Sequence, residues 1–193
     1  MRYFMKLTIA GMVVLAMGTA REAAAQGFLN PFIGATLSSP SPLGGRSQPG
    51  FGVAFGSIGL IFGGDFEIAY YPEVIDNQAN GLDNSHAITL AANTLIGPRI
   101  GPVKIYGAFG LGDTILSATP LSSLTNPSPS NLTSHYFTVN SGGGLMVFVG
   151  RLGFRGDVRY FRAYGFTFSD VQGTAGFSHF NFWRGTAGLA VRF

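Results

Sequence analysis

Counted back from Phe193, every second residue of the last stretch falls on one of two faces. Phe193, Val191, Leu189, Ala187, Gly185 and Trp183 form an uncharged face with an aromatic at each end, whereas Arg192, Ala190, Gly188, Thr186 and Arg184 form a small or charged one. A period of two marks an extended strand, because successive side chains point to opposite sides of the backbone. Aromatics bracketing an apolar band roughly 25 Å tall, backed by a polar face, suit a strand that crosses a membrane within a barrel.

The alternation recurs from Gly27 onward, with two kinds of connection. A first strand, about Phe28 to Leu37, leads into the Ser/Pro/Gly stretch Ser38 to Gln48. A second, Phe51 to Ile61, reverses through Phe62-Gly63-Gly64 into a third, Asp65 to Tyr71, which stops at Pro72 because proline cannot donate to a central ladder. A polar stretch through Asp76, Asn77, Asn80 and Asn84 precedes a fourth strand, His86 to Leu95. The compact turn from Gly97 to Pro102 opens a fifth, Val103 to Leu111, and the uncharged stretch Ser117 to Ser134 is the longest connection. A sixth strand, Tyr136 to Val149, turns through Gly150 to Gly153 into a seventh, Phe154 to Ala163, and Tyr164 to Ser178 precede the last. Long and short connections alternating along eight strands predict an all-β fold: an eight-stranded antiparallel transmembrane β-barrel with short periplasmic turns and long external loops. A soluble sandwich or lipocalin-like barrel has no reason to sort its connections this way.

Charge fixes the faces, because Arg or Lys on the lipid side costs about 2–4 kcal/mol near the midplane. The third strand places Phe66, Ile68 and Tyr70 outward; the seventh places Phe154, Gly156, Val158 and Tyr160 outward. The first and second are too glycine-rich to orient. Phe66, Tyr70, Phe154, Tyr160, Trp183 and Phe193 are the expected aromatic girdle. The expected lumen charges are Asp65, Glu67 and Asp157 with Lys104, Arg155, Arg159, Arg184 and Arg192. The third and seventh strands stand opposite in a ring just wide enough for side chains to fill, so Glu67 is placed to reach Arg155 or Arg159. Such a cluster reads either as a selectivity filter or proton path, or as a polar plug whose buried charges pair with one another. Arg162 shares the outward parity of Tyr160 but lies beyond the apolar band, where anionic lipid headgroups attract cations.

Composition narrows the classes further. Charged residues are 11% of the 193, yet no apolar run after the N-terminus approaches the ~20 residues of a membrane helix. Residues 1–25 have the layout of a signal peptide: Arg2 and Lys6, an apolar Leu7 to Met17, and Ala23-Ala24-Ala25 before Gln26, with cleavage after Ala20 as the alternative. Residues 26–193 then form the barrel domain. Losing Arg2, Lys6, Arg21 and Glu22 lowers the formal charge from +3 to +1, which removes any case for nucleic acid. Without cysteine there is no disulfide framework or Cys-ligated metal. His86, His135 and His179 fall at strand–loop junctions, and adjacent Ser-His pairs point to opposite faces, so neither a nucleophile–base pair nor a metal site is expected. Gly110-Leu111-Gly112 and Gly142-Gly143-Gly144 lack the context of phosphate loops and suggest bends or close approach by large side chains.

The signal-peptide layout, the eight alternating strands, the segment Gly156-Asp157-Val158-Arg159-Tyr160-Phe161-Arg162 and a last strand ending in Phe193 together resemble the small outer-membrane β-barrel proteins of the OmpA/OmpX type, the outer membrane protein beta-barrel domain group. The resemblance implies a monomer in the bacterial outer membrane, surrounded by lipid and lipopolysaccharide, without cofactor. In that group a terminal Phe on an outward-alternating strand is read by the barrel-assembly machinery, which assigns Ala187, Leu189, Val191 and Phe193 to that signal. No counterpart of OmpA's peptidoglycan-binding domain follows, so cell-wall anchoring is not expected. The expected function is non-enzymatic: a charge-plugged barrel whose external loops serve envelope integrity or surface interaction. A narrow channel is the alternative; an outer-leaflet lipid-modifying enzyme is a further one, although the catalytic pattern of such barrels is not matched.

Overall fold

The computed structural model describes residues 26–38, 47–72, 82–120, 132–165 and 179–193; the expected signal segment and most of the four long connections lie outside the described residues. In chain order the strands are β1 (Gln26–Ser38), β2 (Pro49–Ile58), β3 (Phe62–Pro72), β4 (Leu82–Ile96), β5 (Arg99–Ile100), β6 (Val103–Pro120), β7 (Leu132–Val149), β8 (Leu152–Gly165) and β9 (His179–Arg192). Eight of them form a ring in which each pairs antiparallel with its neighbours, β4 pairs directly with β6, and β1 closes on β9. β5 is a two-residue element in the β4–β6 turn, paired to Lys104 and Val103. No sheet edge is left over in the ring, so its backbone donors and acceptors are satisfied within the wall, as a membrane interior requires.

The strand ends differ from the sequence expectation in two ways. The β2–β3 reversal is made by Gly59-Leu60-Ile61, with Gly59 N donating to Phe62 O, rather than by Phe62-Gly63-Gly64. Gly63 and Gly64 instead belong to β3, where a Cβ on Gly63 would lie 2.7 Å from Ser57 O on β2. The second difference is length: β6 runs on to Pro120 and β7 begins at Leu132, whereas β9 begins at His179 as expected. These extensions are polar or Ser/Thr-rich and read as loop in sequence, but ladder pairing continues through them. Two turns depend on glycine in the left-handed region, Gly101 at φ 59° and Gly150 at φ 63°.

Side chains alternate around the wall. Outward stand Leu29, Ile33, Phe51, Phe55, Ile68, Ile105, Phe109, Leu145, Phe154, Val158, Leu189 and Val191, all exposed apolar groups. Inward stand Phe28, Asn30, Phe32 and Thr36 of β1 and Ala54 and Ile58 of β2, which orients the two glycine-rich strands. The apolar lumen residues form two separate clusters. One, toward the long connections, contains Phe32, Tyr71, Leu116, Tyr136, Phe161, Phe180 and Phe182. The other, toward the short turns, contains Phe28, Ile58, Leu95, Tyr106, Met146 and Phe148. Between them lies a polar layer.

Candidate functional site

The polar layer is carried by three strands. β8 supplies Arg155, Asp157 and Arg159 at alternate positions, β3 supplies Asp65 and Glu67, and β9 supplies Arg184. All six are buried to within 6% exposure, and their formal charges cancel. Arg155 Nη2 donates to Asp65 Oδ2 at 2.6 Å, and its Nε donates to Asp157 Oδ2 at 3.0 Å. Arg159 lies 3.2 Å from Asp157, 3.6 Å from Glu67 and 3.7 Å from Asp65, and Arg184 Nη1 lies 2.6 Å from Glu67 Oε1. The contacts of Glu67 with Arg159 and Arg184 are charge proximity rather than aligned hydrogen bonds. Thus Glu67 meets Arg159 and Arg184, whereas Arg155, the other partner expected for it, is taken by Asp65 and Asp157.

The register explains why the acid on β3 is needed. Arg159 and Arg184 are direct cross-strand partners in the β8–β9 ladder. Like charges in that position repel, and Glu67, reaching from another wall, neutralises the contact. The arginine planes also rest on aromatic faces: Arg184 lies 4.4 Å from the Phe161 ring centre, and Arg155 lies 5.5 Å from both Phe28 and Tyr106.

Several members of the network were not singled out in sequence. Asn93 donates to Asp65 at 2.6 Å and accepts from Asn140 at 2.9 Å; Tyr106 donates to Asp157, and Thr186 donates to its other oxygen. Each has inward parity, which was the available signal; uncharged side chains simply carry less of it. The glycine triplet serves the same layer. A Cβ on Gly144 would sit 2.7 Å from the Tyr106 hydroxyl and against Asp157, and one on Gly142 would sit 2.7 Å from Arg159 Cα. The triplet therefore makes room for the charged side chains of β8.

Lys104 and Arg192 do not join the acids, contrary to the expectation of one cluster of eight. Lys104 is inward and buried, but its Nζ donates to the carbonyls of Gly59, Ile61 and Gly97 at 3.1–3.2 Å. With Gly97 N donating to Ile61 O, it ties the β2–β3 turn to the β4–β5 turn. Arg192 donates to Gly150 O at 2.6 Å and lies over Phe148, close to solvent. Both positions are too near the turn end for their side chains to reach the central carboxylates.

The outer wall carries aromatic pairs at both heights. Tyr160 packs on Trp183 at 5.3 Å, Phe51 on Tyr70 at 5.6 Å and Phe55 on Phe66 at 5.4 Å, while Phe154 and Phe193 are exposed near the turn end. Ala187, Leu189, Val191 and Phe193 all face outward. Phe193 also closes the seam: its N donates to Gly27 O at 2.9 Å, and its ring covers Gly27. Arg162 is exposed above this band, its guanidinium 5.3 Å from the Tyr164 ring. His135 pairs with Asp113 at 2.9 Å on the exposed surface, and His86 packs at 5.8 Å from Tyr70; the side chain of His179 lies outside the described residues. Among the described residues no three metal-ligating side chains converge.

No family model and no curated protein matches this chain. Solved structures do. Neisserial surface protein A is 14% identical with a TM-score of 0.62, covering 86% of this chain and 97% of that one. The N-terminal β-barrel domain of Pseudomonas aeruginosa OprF is 14% identical with a TM-score of 0.55, covering 89% and 100%. Ail of Yersinia pestis, in complex with the heparin analogue sucrose octasulfate, is 11% identical with a TM-score of 0.58, covering 88% and 99%. At these identities the likeness is one of architecture, and it agrees with the closed ring and outward apolar faces described above. The chain has the fold of the small eight-stranded outer-membrane barrels.

Proposed function

We propose that this chain is a non-enzymatic barrel of the bacterial outer membrane, closed to ion flow, that acts through the connections at its loop end in envelope integrity or surface interaction. The observation that carries this reading is the neutral ionic layer held between two apolar clusters. A hydrated ion entering the lumen has to break buried pairs and then pass aromatic side chains at either end. The cavity between Thr36, Tyr71, Thr114, Leu116 and Phe182 has a volume of about 30 Å³, room for a water molecule rather than a hydrated ion. Each of Asp65, Glu67 and Asp157 is engaged by guanidinium groups, which makes them poor general bases and supports a non-enzymatic role.

In this reading the short turns and both termini of the barrel domain face the periplasm, and the girdle aromatics sit at the two membrane interfaces. Arg162 meets lipid or lipopolysaccharide headgroups, and Ala187, Leu189, Val191 and Phe193 are the surface read by the assembly machinery. The protein works as a monomer. The sucrose octasulfate held by Ail is not carried over to this chain. Planar-bilayer recording of the purified barrel tests the closed lumen; discrete, solute-dependent conductance favours a channel instead.

A further inference from the structure

The turn end of the barrel is positively charged among the described residues. At the turn end stand Arg99, Lys104, Arg151 and Arg192, and no Asp or Glu side chain accompanies them among the described residues. Lys104 is used up by three carbonyls. The other three keep donors free for an outside partner: Arg151 is exposed, Arg192 spends one nitrogen on Gly150 O, and Arg99 spends Nε on Gly101 O and Nη1 on Gln26. They follow one arc of the rim, along which Pro102 O accepts from Phe148 N and Arg151 O accepts from Arg192 N.

The same rim is tipped with apolar side chains. Leu60 and Ile61 in the β2–β3 turn, Ile100 beside Arg99, and Val149 and Leu152 flanking Gly150-Arg151 are each more than half exposed. A turn end meant to stand free in water has no use for such tips, and arginines alternating with them match the boundary where hydrocarbon meets phosphate. Arginine suits that boundary because its stem lies along apolar surface while its planar fork pairs with phosphate oxygens. We infer that the turn end is a binding surface for the headgroups of anionic glycerophospholipids in the leaflet on that side, with Arg99, Arg151 and Arg192 on the phosphates and Leu60, Ile100, Val149 and Leu152 in the acyl boundary. The inference rests on the membrane-spanning reading and adds a lipid preference that reading does not require.

The test is native mass spectrometry of barrels released from nanodiscs of mixed phosphatidylglycerol and phosphatidylcholine. Wild-type protein retains phosphatidylglycerol preferentially. The variant R99Q/R151Q/R192Q loses that preference by about fivefold or more, since each cation near a membrane surface contributes on the order of fivefold. R151Q alone gives a smaller loss in the same direction; the Arg151 side chain is exposed and makes no hydrogen bond among the described residues, so this variant folds even if the triple one does not. Equal retention by wild type and R151Q overturns the inference, as does a loss seen only in R162Q at the opposite rim. Failure of wild type to enter nanodiscs of either lipid is a different result and overturns the membrane reading itself.

Discussion

Glu67 Oε1 lies 2.6 Å from Arg184 Nη1, although the two residues come from strands that do not pair with each other. The contact relieves a repulsion built into the wall, where Arg184 faces Arg159 across the β8–β9 ladder. Removing the acid leaves two buried guanidinium groups side by side. Glu67→Ala is expected to cost about 3–5 kcal/mol of stability, the usual consequence of breaking a buried pair from one side. Thermal unfolding in detergent checks this, and an unchanged midpoint would count against the plug.

Glycines of the lumen and of the outer wall should respond differently. Gly144→Val puts side-chain atoms where Asp157 and the Tyr106 hydroxyl already sit, and it is expected to reduce the folded, heat-modifiable fraction sharply. Gly156 faces a groove on the outside, where an added Cβ meets no atom nearer than 3.7 Å. Gly156→Val should fold as wild type. Equal yields from the two variants would contradict the inward and outward assignment.

Lys104→Met preserves most of the side-chain volume but removes three donors from Gly59 O, Ile61 O and Gly97 O. A buried acceptor left without its donor costs about 1–3 kcal/mol. The predicted signature is local: faster amide hydrogen exchange at Gly59 and Gly97, with protection at Asn140 in the central ladder kept. Uniform loss across the barrel would mean that the lysine supports more than the two turns.

Deleting Phe193 removes a seam hydrogen bond to Gly27 as well as an outward aromatic. Refolding of the truncated chain into detergent should show a loss of about 1 kcal/mol, in line with one hydrogen bond, while membrane levels in cells fall much further. Normal membrane levels would remove the assembly-signal reading.

Alternation and charge made most of this fold legible. The β8 stretch with Arg155, Asp157 and Arg159 allows only one parity in a membrane wall, and that parity carries over to the strands beside it. What stayed hidden depends on register. Sequence put Glu67 opposite β8 but could not place Arg184 beside Arg159, because that pairing is set by stagger around the ring. Likewise Lys104 and Arg192 had the right parity for the ionic layer but the wrong height, and height along a tilted strand is not written in a period of two. Polar stretches such as Ser117 to Pro120 and Leu132 to His135 extended the strands because partner strands supplied their ladder bonds.

The most direct test of the closed, charge-plugged lumen is single-channel recording of the purified wild-type barrel in a planar bilayer at neutral pH, beside Glu67→Ala. The account predicts a silent wild type and increased leak in the variant. Discrete conductance steps in the wild type that change with the solute would contradict it.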